Sequence, residues 1–512
     1  MRYFEILIPF SLLCTLVILF FVKKNRRTLI LSAISLTAVV GLCHIIFEGP
    51  RWQMVPVYLY SLFLISIYLL PFRNRWQKKP GLSSFLGRLL RISGISLTVI
   101  LLLLSVILPA LFPVFNISEP AGPYNVGTRT LFFTDSSRFD AHSEEIDRYR
   151  ELSVRVWYPA VTDNLKNSVP YMNKEEARAL ADLYNMPSFL LDHFTLVKTD
   201  SYYHATPMKG TYPLVMYSPS GDMVQNTTLF QELASHGYVV FSVGHPYWNA
   251  YYYDAEGRVI PFDNENPYYT SLWDEENSDS VNITKEKITT AADLEEKRIA
   301  HTKLNQYMPL EIADIRLWAE DLSFLLDEIS NEEHDMSELV GHIDAERIGV
   351  MGFSKGGAAA GQFCASDLRC RAGVNLSGFM FGDALNRGIS TPFMFMENII
   401  EWCEDCNPIC EVLYEDATDD VFMVRIKDAR HGNFSDWSLV GGYLKLSGLI
   451  GPLNGPHCLE IQVQFIRAFF DRYLKGRDVN LMHGIGENYP EVIFESRNFK
   501  SDLRHSYWQS SN

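Results

Sequence analysis

RIGVMGFSKGGAAAGQF, residues 347–363, sets the pentapeptide Gly-Phe-Ser-Lys-Gly between a hydrophobic strand and a run of small residues that can begin a helix. A serine on such a sharp strand-to-helix turn projects out of the sheet toward substrate. Flanking glycines leave room for the strained backbone and for close packing of helix against strand. The pattern predicts a nucleophile elbow with Ser354 as the nucleophile, although the pentapeptide alone would occur by chance in roughly one of ten such chains.

Strand-length apolar runs alternate with helical patterns on both sides of this turn. Helical spacing of three and four appears in residues 310–329, at Ile315, Trp318, Leu322 and Leu325. Strands separated by helices predict a mostly parallel sheet covered on both faces, which is the α/β-hydrolase architecture in outline. The runs predicted as strands are LSVRVWYP, YPLVMYSPS, YVVFSVGHP, RIGVMGFS, RAGVNLSG, PFMFMEN and VFMVRIKDARH.

The first 115 of the 512 residues have the composition of membrane helices. Four apolar stretches approach the roughly 20 residues that a bilayer-crossing helix needs. They are residues 4–22, 28–47, 55–72 and 92–115. A secretory signal peptide would be a single short apolar stretch with a cleavage site. We therefore expect four transmembrane helices, with buried helices of a soluble protein as the alternative.

Basic residues between the apolar stretches predict their orientation. The first and third loops are rich in Lys and Arg, whereas the second holds one Arg and one Glu. Basic loops stay cytoplasmic, so both termini and everything after residue 115 are expected on the extracytoplasmic side of the plasma membrane. The stretches hold very few ionisable residues, so an anchor or a partner-docking module is expected rather than a transport path.

Three segments are predicted along the chain. Residues 1–115 form the membrane domain, residues 116–480 form an extracytoplasmic α/β-hydrolase domain, and residues 481–512 form a C-terminal tail. Residues 251–307 are acidic and polar with interspersed aromatics, and they interrupt the alternation of strands and helices. Long insertions of this kind often act as lids. A solvated excursion with helix in its second half is the alternative.

The predicted outer part is strongly acidic. Residues 1–112 hold 12 Lys or Arg and 2 Asp or Glu, and the remainder holds 33 basic and 59 acidic residues, a net charge of −26. Nucleic-acid binding needs basic surface to neutralise phosphates, so that class of partner is not expected. A solvated surface kept soluble by its charge accounts for the acidity.

Six of the eight cysteines lie in the predicted outer part. They are Cys364, Cys370, Cys403, Cys406, Cys410 and Cys458. An even number is compatible with three disulfides, whose pairing the sequence leaves open. The segment CEDCNPIC begins with Cys-x-x-Cys, but no second pair follows at zinc-ribbon spacing. A disulfide-stapled loop is expected, with neither a metal nor another cofactor.

A serine nucleophile needs a histidine to take its proton and an acid to hold that histidine in the right tautomer. In this fold class the three follow the order serine, acid, histidine. His431 follows the strand VFMVRIKDAR and opens HGNFSDW, so it is predicted on a loop at a strand's C-terminal end, facing the elbow. His457 is interpreted as structural, and His245, at an earlier strand end, could line the site.

An oxyanion hole requires two backbone N–H groups. The amide of Lys355, directly after the nucleophile, supplies the first. Gly221 in the turn SPSGDM is predicted to supply the second, because a glycine lets backbone approach substrate closely. Asp222 beside it is interpreted as a turn residue.

Five ordered pieces of sequence resemble one family. They are GPYNVGTRTLFF, YPLVMYSPSG, LASHGYVVFSVGHP, GFSKGG and HGNFSDW, spread over residues 122–474. They are similar to the platelet-activating-factor acetylhydrolases of the plasma and type II kind and to their dienelactone-hydrolase-like bacterial relatives. The resemblance implies Ser354 as nucleophile, His431 as base, and Gly221 with Lys355 as oxyanion donors.

One position departs from the family pattern. Where the family has Asn-Leu-Asp-Gly, with the aspartate as triad acid, this chain reads NLSG at residues 375–378. Many α/β-hydrolases take the acid from the end of the next strand, here PFMFMENIIEW. Glu397 is the predicted acid, with Glu401, Asp383 or a pair without any acid as alternatives; losing a triad acid can cost roughly 10⁴ in rate.

Three functions are compatible with these residues. The first is a membrane-anchored serine esterase that cleaves short or oxidised acyl chains from phospholipids through an acyl-enzyme. A broad-specificity carboxylesterase would use the same machinery on other esters. A hydrolase-like ectodomain that has lost activity and serves as a binding module is the third, and Ser377 is the feature that favours it.

Overall fold

The chain folds into two compact units. The structure, a computed structural model, describes the chain apart from residues 1, 23, 70–83, 144, 146, 162–167, 255, 264, 331–336, 400–408, 480–487 and 500–512. The first unit comprises Met1–Asn116, Asp192–Val197 and Val440–Leu446, and the second comprises Ile117–Leu191, Lys198–Leu439 and Ser447–Asn512.

The first unit is built on apolar helices. They are α1 (Tyr3–Phe21), α2 (Arg26–Cys43), which a π-helical turn at His44–Glu48 continues, α3 (Val55–Leu69) and α4 (Ser84–Leu111). Ile8, Ile30, Met54 and Tyr60 are buried between them. Large apolar side chains also cover the outside of the unit, where water would be unfavourable; Phe10, Leu13, Leu36, Leu42, Leu59, Leu62, Ile100 and Leu103 are all exposed.

One stretch of this unit is long and apolar enough to cross a membrane. It is Thr28–Glu48, 21 residues near the N-terminus. The other apolar helical stretches of the described residues are 10–17 residues long, short of the roughly 20 that a span needs. They are Tyr3–Ile18, Trp52–Ser66 and Ser96–Leu111. Among the residues that the structure describes, one of the four predicted transmembrane helices has the length and composition of a membrane span, so a multi-pass membrane domain is not supported.

Glu5 is a buried carboxylate held by ion pairs inside the first unit. Its oxygens lie 2.7 Å from Arg51 Nη2 and 2.8 Å from Arg2 Nη2. His44 and Glu48 lie beside it, close enough for the three to surround a cation. Because two guanidinium groups already supply positive charge there, we interpret this cluster as an ion-pair network.

The second unit is built around a 12-stranded sheet. Its strands are β1 (Asn125–Phe139), β2 (Tyr149–Val161), β3 (Ser168–Pro170), β4 (Lys198–Tyr203), β5 (Thr206–Pro207), β6 (Tyr212–Ser218), β7 (Val239–Gly244), β10 (Ile343–Phe353), β11 (Cys370–Leu376), β12 (Phe393–Ile399), β13 (Val421–Lys427) and β14 (Val492–Arg497). A separate hairpin pairs β8 (Tyr251–Tyr253) with β9 (Val259–Pro261).

Six neighbouring strands run parallel in the middle of the sheet. The order along the sheet is β14-β13-β12-β11-β10-β6-β7-β2-β1-β4-β3, with β5 beside β2. The six parallel strands are, in spatial order, β7, β6, β10, β11, β12 and β13. Strand β2 pairs with β7 in antiparallel fashion. All seven predicted strands lie in this sheet, which confirms the predicted mostly parallel architecture. The elbow strand β10 lies near the centre of the sheet, so the ends of parallel strands lie on both sides of the elbow.

Helices cover both faces of the sheet. The helices of the second unit are α5 (Lys174–Leu183), α6 (Thr227–Ser235), α7 (Pro267–Glu276), α8 (Asp279–Thr290), α9 (Leu294–Tyr307), α10 (Pro309–Ser330), α11 (Ser337–Val340), α12 (Lys355–Ser366), α13 (Ala384–Arg387), α14 (Ile409–Asp416), α15 (Trp437–Val440) and α17 (Gly455–Lys475). The helix α16 (Gly442–Ser447) belongs to the first unit as far as Leu446. The helix predicted over residues 310–329 is α10, and its apolar residues at spacings of three and four are buried as expected.

Two predicted segments contain regular structure. Residues 251–307 hold the β8–β9 hairpin followed by α7, α8 and α9. Within the predicted tail, residues 492–497 form β14, which pairs antiparallel with β13 and closes that edge of the sheet. Residues 492–497 of the predicted tail thus belong to the sheet, whereas residues 481–487 and 500–512 lie outside the described residues.

One of the possible disulfides is present. Cys364 at the end of α12 is bonded to Cys370 at the start of β11, and both are buried. Cys458 is free and buried, and the Cys410 thiol is buried next to Glu397. Cys403 and Cys406 lie outside the described residues. The bond joins the helix that follows the elbow to the next strand of the sheet.

A buried ion-pair network ties β2 to α10. The Arg150 guanidinium lies 2.7 Å from Asp321 and 2.9 Å from Asp140, and all three side chains are almost fully buried. Burial alone would raise the pKa of Asp321, but Arg150 and a hydrogen bond with His245 hold that pKa below its usual value. Asp321 therefore stays charged, and Arg150 supplies positive charge to both carboxylates.

Replacing Arg150 with methionine should lower the free energy of unfolding by about 3–5 kcal/mol, because two buried carboxylates lose their cation. Arg148, just before the same strand, pairs with Glu145 and Glu151 at the surface, and Arg148→Met should cost about 1 kcal/mol or less. Urea unfolding followed by circular dichroism compares the two variants. Equal losses would show that the buried network contributes no more than a surface pair.

Candidate active site

The predicted elbow is a strained turn at the end of β10. Ser354 has φ 56° and ψ −126°, a conformation that residues other than glycine rarely adopt. Its N–H donates to Leu376 O at 3.0 Å, which ties the turn to β11. A Cβ on Gly352 would lie 2.0 Å from Gly356 O, and a Cβ on Gly356 would lie 1.9 Å from Ser218 O. The two glycines are required because backbone packs against backbone on both sides of the serine.

His431 is placed beside the elbow by the strand β13. It begins a 3-10 turn, His431–Phe434, just after that strand, and its ring stacks on Phe353 with centroids 4.7 Å apart. His431 is an exposed residue, although protein packs around its ring. Desolvation by the surrounding protein lowers the pKa of His431 below its usual value, and a hydrogen bond with the Ser377 backbone opposes the shift in part. The imidazole is therefore neutral near neutral pH, as a general base must be.

Ser377 is the partner of His431. Its Oγ lies 3.0 Å from His431 Nδ1 and donates to Asn398 Oδ1 at 3.2 Å. The Ser377 backbone is left-handed, with φ 52°, and its N–H donates to Met396 O at 2.8 Å. The residue that departs from the family pattern thus occupies the place of a triad acid beside the histidine.

The structure does not bring the predicted acid to His431. Glu397 and Asn398 are successive residues of β12, so their side chains point to opposite faces of the sheet. The Glu397 carboxylate lies 3.6 Å from Arg425 and next to the Cys410 thiol, and burial raises its pKa to about 7. Its role as the acid stays a prediction that no contact of the described residues supports.

The two alternative acids are also accounted for. Asp383 is paired with Arg316 at 2.7 Å and accepts a hydrogen bond from Gln362 at 3.3 Å, so its charge is used beside α10 and α12. Glu401 lies outside the described residues.

One predicted oxyanion donor directly follows the nucleophile, and the other lies in the turn after the neighbouring strand β6. Lys355 is the first residue of α12, so its N–H belongs to the helix turn that has no carbonyl partner within the helix. The Gly221 N–H donates to Gln225 Oε1 at 3.1 Å, and Gln225 Nε2 in turn donates to Tyr217 at 2.6 Å. The Gly221 N–H is thus bonded within its own turn, and its role as an oxyanion donor stays a prediction.

The Lys355 side chain points away from the serine into a buried acidic site. Its Nζ lies 2.8 Å from Glu311 and 2.8 Å from Asp314, and 3.4 Å from the centre of the Trp248 ring. These contacts fix the start of α12, and with it the amide that follows the nucleophile.

A second Ser-His-Asp arrangement lies buried behind the elbow. Ser218 Oγ is 2.8 Å from His245 Nε2, and His245 Nδ1 is 2.9 Å from Asp321. His245 also stacks on Trp318, with ring centroids 4.2 Å apart. All these side chains are inaccessible to solvent, so the arrangement positions Ser218, whose carbonyl contacts Gly356. His245, expected to line the site, supports it from behind.

A profile of the family described as "Platelet-activating factor acetylhydrolase, isoform II" matches residues 110–489, well over half of the chain. The chain belongs to that family. This confirms the resemblance found in the five sequence pieces. The match includes both the elbow and His431.

Named relatives agree with the family. The platelet-activating factor acetylhydrolase of Cavia porcellus is 25% identical over 401 residues, covering 73% of this chain and 82% of that protein. A probable 1-alkyl-2-acetylglycerophosphocholine esterase of Arthroderma benhamiae is 24% identical over 420 residues, covering 74% of this chain and 94% of that protein. A ferulic acid esterase from Streptomyces cinnamoneus has a similar structure, with a TM-score of 0.58 and 25% identity over 74% of this chain and 99% of that one.

This family member is a hydrolase of carboxylic esters, as its sequence predicted. Two site features were missed by sequence reasoning. Asn398 adjoins the predicted acid and would have been found by asking which residue of PFMFMEN shares a face with the end of β11. Gln225 follows the SPSGDM turn and gave no signal, because a single glutamine is not part of any motif.

His431 should titrate below pH 6.5, because surrounding protein disfavours its charged form. Nuclear magnetic resonance of histidine-labelled protein, with the His431 signal assigned by His431→Gln, measures this directly. The folded protein should keep its neutral imidazole as the pH falls past 6.5. A midpoint above 6.5 would require a carboxylate beside the ring and would contradict the contacts described.

Proposed function

We propose that the protein is a membrane-anchored serine esterase that removes short or oxidised acyl chains, acetyl above all, from glycerophospholipids. The observation that carries the proposal is the strained Ser354 turn with the His431 ring beside it. A left-handed serine at a strand-to-helix junction costs about 1–3 kcal/mol and persists where the turn has a use. The names of the relatives, which act on acetylglycerophosphocholine, suggest the substrate.

The proposed reaction proceeds through an acyl-enzyme. Ser354 Oγ attacks the ester carbonyl while His431 takes the hydroxyl proton. The N–H groups of Lys355 and Gly221 stabilise the tetrahedral oxyanion. His431 then gives its proton to the leaving alcohol, and a water molecule, deprotonated by the same histidine, releases the acid.

The apolar first unit supports anchoring. Its Thr28–Glu48 stretch is long enough to cross a bilayer, and apolar side chains cover its outer surface. An anchor of this kind keeps the esterase close to a phospholipid substrate. The extracytoplasmic location proposed for the second unit has separate support, because the Cys364–Cys370 disulfide is typical of oxidising compartments.

Ser354→Ala should abolish labelling by a fluorophosphonate probe and lower kcat by about 10⁶-fold, because the nucleophile is lost. Ser330→Ala is the matched control, since Ser330 lies at the far end of α10 from the catalytic edge of the sheet and bonds within its own helix. The wild-type protein should hydrolyse 1-alkyl-2-acetylglycerophosphocholine with higher kcat/KM than its palmitoyl analogue.

Three results would contradict the proposal. Well-folded wild-type protein that takes no label is not a serine esterase. Labelling that survives Ser354→Ala places the nucleophile elsewhere. Equal turnover of nitrophenyl acetate and feruloyl esters, with none of the acetylated phospholipid, would instead indicate a broad carboxylesterase.

An alkaline phosphatase fused after Asn512 should be active, because that reporter folds only in an oxidising compartment. Alkaline extraction of membranes should leave the fusion in the pellet, as expected for an integral anchor. A fusion without the first 116 residues, directed to the same compartment by a cleavable signal peptide, is the control and should be released. Activity only of a cytoplasmic reporter at the same position would reverse the proposed orientation.

A further inference from the structure

Three side chains from three strand ends form a chain of hydrogen bonds at the proposed base. Ser377 Oγ, at the end of β11, lies 3.0 Å from His431 Nδ1 and 3.2 Å from Asn398 Oδ1 of β12. None of the three groups is a carboxylate. Both hydrogen bonds meet at Ser377, the position at which the family resemblance implies the triad acid.

The proton count in this chain fixes the state of the histidine. A serine hydroxyl has one proton to donate and two lone pairs to accept with. Since the Ser377 proton is directed at Asn398 Oδ1, Ser377 can only accept from His431. The His431 proton therefore resides on Nδ1, which leaves Nε2 unprotonated and able to accept the proton of a nucleophile.

We infer that Ser377 and Asn398 are positioning residues that together replace the triad carboxylate with a neutral pair of hydrogen bonds. The inference rests on the proposed function of Ser354 and His431. Ser377 holds the imidazole in place, and Asn398 holds the Ser377 hydroxyl so that it accepts. No proton passes along the pair: when His431 takes the Ser354 proton, the imidazolium keeps both N–H groups and the Ser377 hydroxyl keeps its own.

The local backbone is built to present Ser377. Its φ of 52° is left-handed, and the following residue is clamped by one side chain. Asn375 Oδ1 accepts from the Gly378 N–H at 2.7 Å, and Asn375 Nδ2 donates to Gly378 O at 2.9 Å. The Ser377 N–H is bonded to Met396 O of β12 as well. The hydroxyl is thus aimed by contacts on both sides of it.

Charged groups on the surrounding elements are directed elsewhere. From β10 the ring meets Phe353, which is apolar. Arg430, the preceding residue, donates to Gly448 O at 2.6 Å. Glu397 of β12 lies with Arg425 of β13 on the opposite face. Across the part of the chain that the structure describes, Ser377 is thus the polar partner of the imidazole, and a developing imidazolium is stabilised by dipoles rather than by a charge.

The first experiment removes the hydroxyl from the full-length protein. Ser377→Gly suits the left-handed backbone, so folding should be preserved. It should lower kcat by about 10–100-fold with little change in KM, because orientation of the base affects the transition state and not substrate binding. Asn398→Ala should lower kcat less, and the double variant should be no slower than Ser377→Gly, since both act through one hydrogen-bond chain. Ser330→Ala is the control.

The second experiment restores the carboxylate. Aspartate tolerates a left-handed backbone, so Ser377→Asp should fold. An adjacent negative charge should raise the midpoint of the acidic limb of kcat/KM by about 1–3 pH units, because the protonated histidine gains an ion pair. The same rise should be seen for the His431 signal in nuclear magnetic resonance. Neither midpoint would move if residue 377 did not face the imidazole.

Several outcomes would contradict the positioning role of Ser377 and Asn398. Wild-type kcat in both Ser377→Gly and Asn398→Ala would show that the pair does not position the base. Loss of about 10⁴ in Glu397→Gln or Glu401→Gln would identify a carboxylate as the acid. If the wild-type protein takes no fluorophosphonate label, the proposed function fails instead. The His431 resonance still tests the Ser377–Asn398 pair in that case. An unshifted His431 midpoint in Ser377→Asp would contradict the inferred contact between residue 377 and the imidazole.

Discussion

The left-handed turn at Ser354 is the constraint on which the rest of the catalytic unit depends. The turn exists only because Gly352 and Gly356 let β10 and α12 approach within contact distance of each other and of Ser218. Ser218 is held by His245, His245 by Asp321, and Asp321 by Arg150. The strained turn at Ser354 is thus supported by a buried chain of contacts whose residues come from β2, β6, the end of β7 and α10.

The acid position shows how a hydrolase site can keep its geometry while losing a charge. A carboxylate beside an imidazole orients the ring and also stabilises its protonated form. The Ser377 hydroxyl, fixed by Asn398, retains the first function through hydrogen-bond direction alone. The electrostatic stabilisation of the protonated imidazole is largely lost, because a neutral acceptor supplies it only weakly. The readily deprotonated ring of His431 is consistent with this separation of the two functions.

Sequence reasoning succeeded where a local pattern determines the structure. The seven strands, α10 and the elbow follow from periodicity and glycine placement, and His431 follows from its position after β13. It failed where the answer depends on which strand faces which. Glu397 and Asn398 are neighbours in sequence but lie on opposite faces, and only the register of β12 against β11 decides which one meets His431. Hydropathy likewise predicted four membrane spans, of which one has the length and composition of a span among the described residues.

Because β14 pairs with β13, the sheet of the second unit is complete only after residues 492–497 have been synthesised. Residues 492–497 leave the ribosome after the rest of the described sheet, so the outer edge of β13 has no partner while the chain is being made. His431 sits on the loop that β13 leads into. Until β14 has formed, β13 therefore leads to the proposed base with an open, association-prone edge.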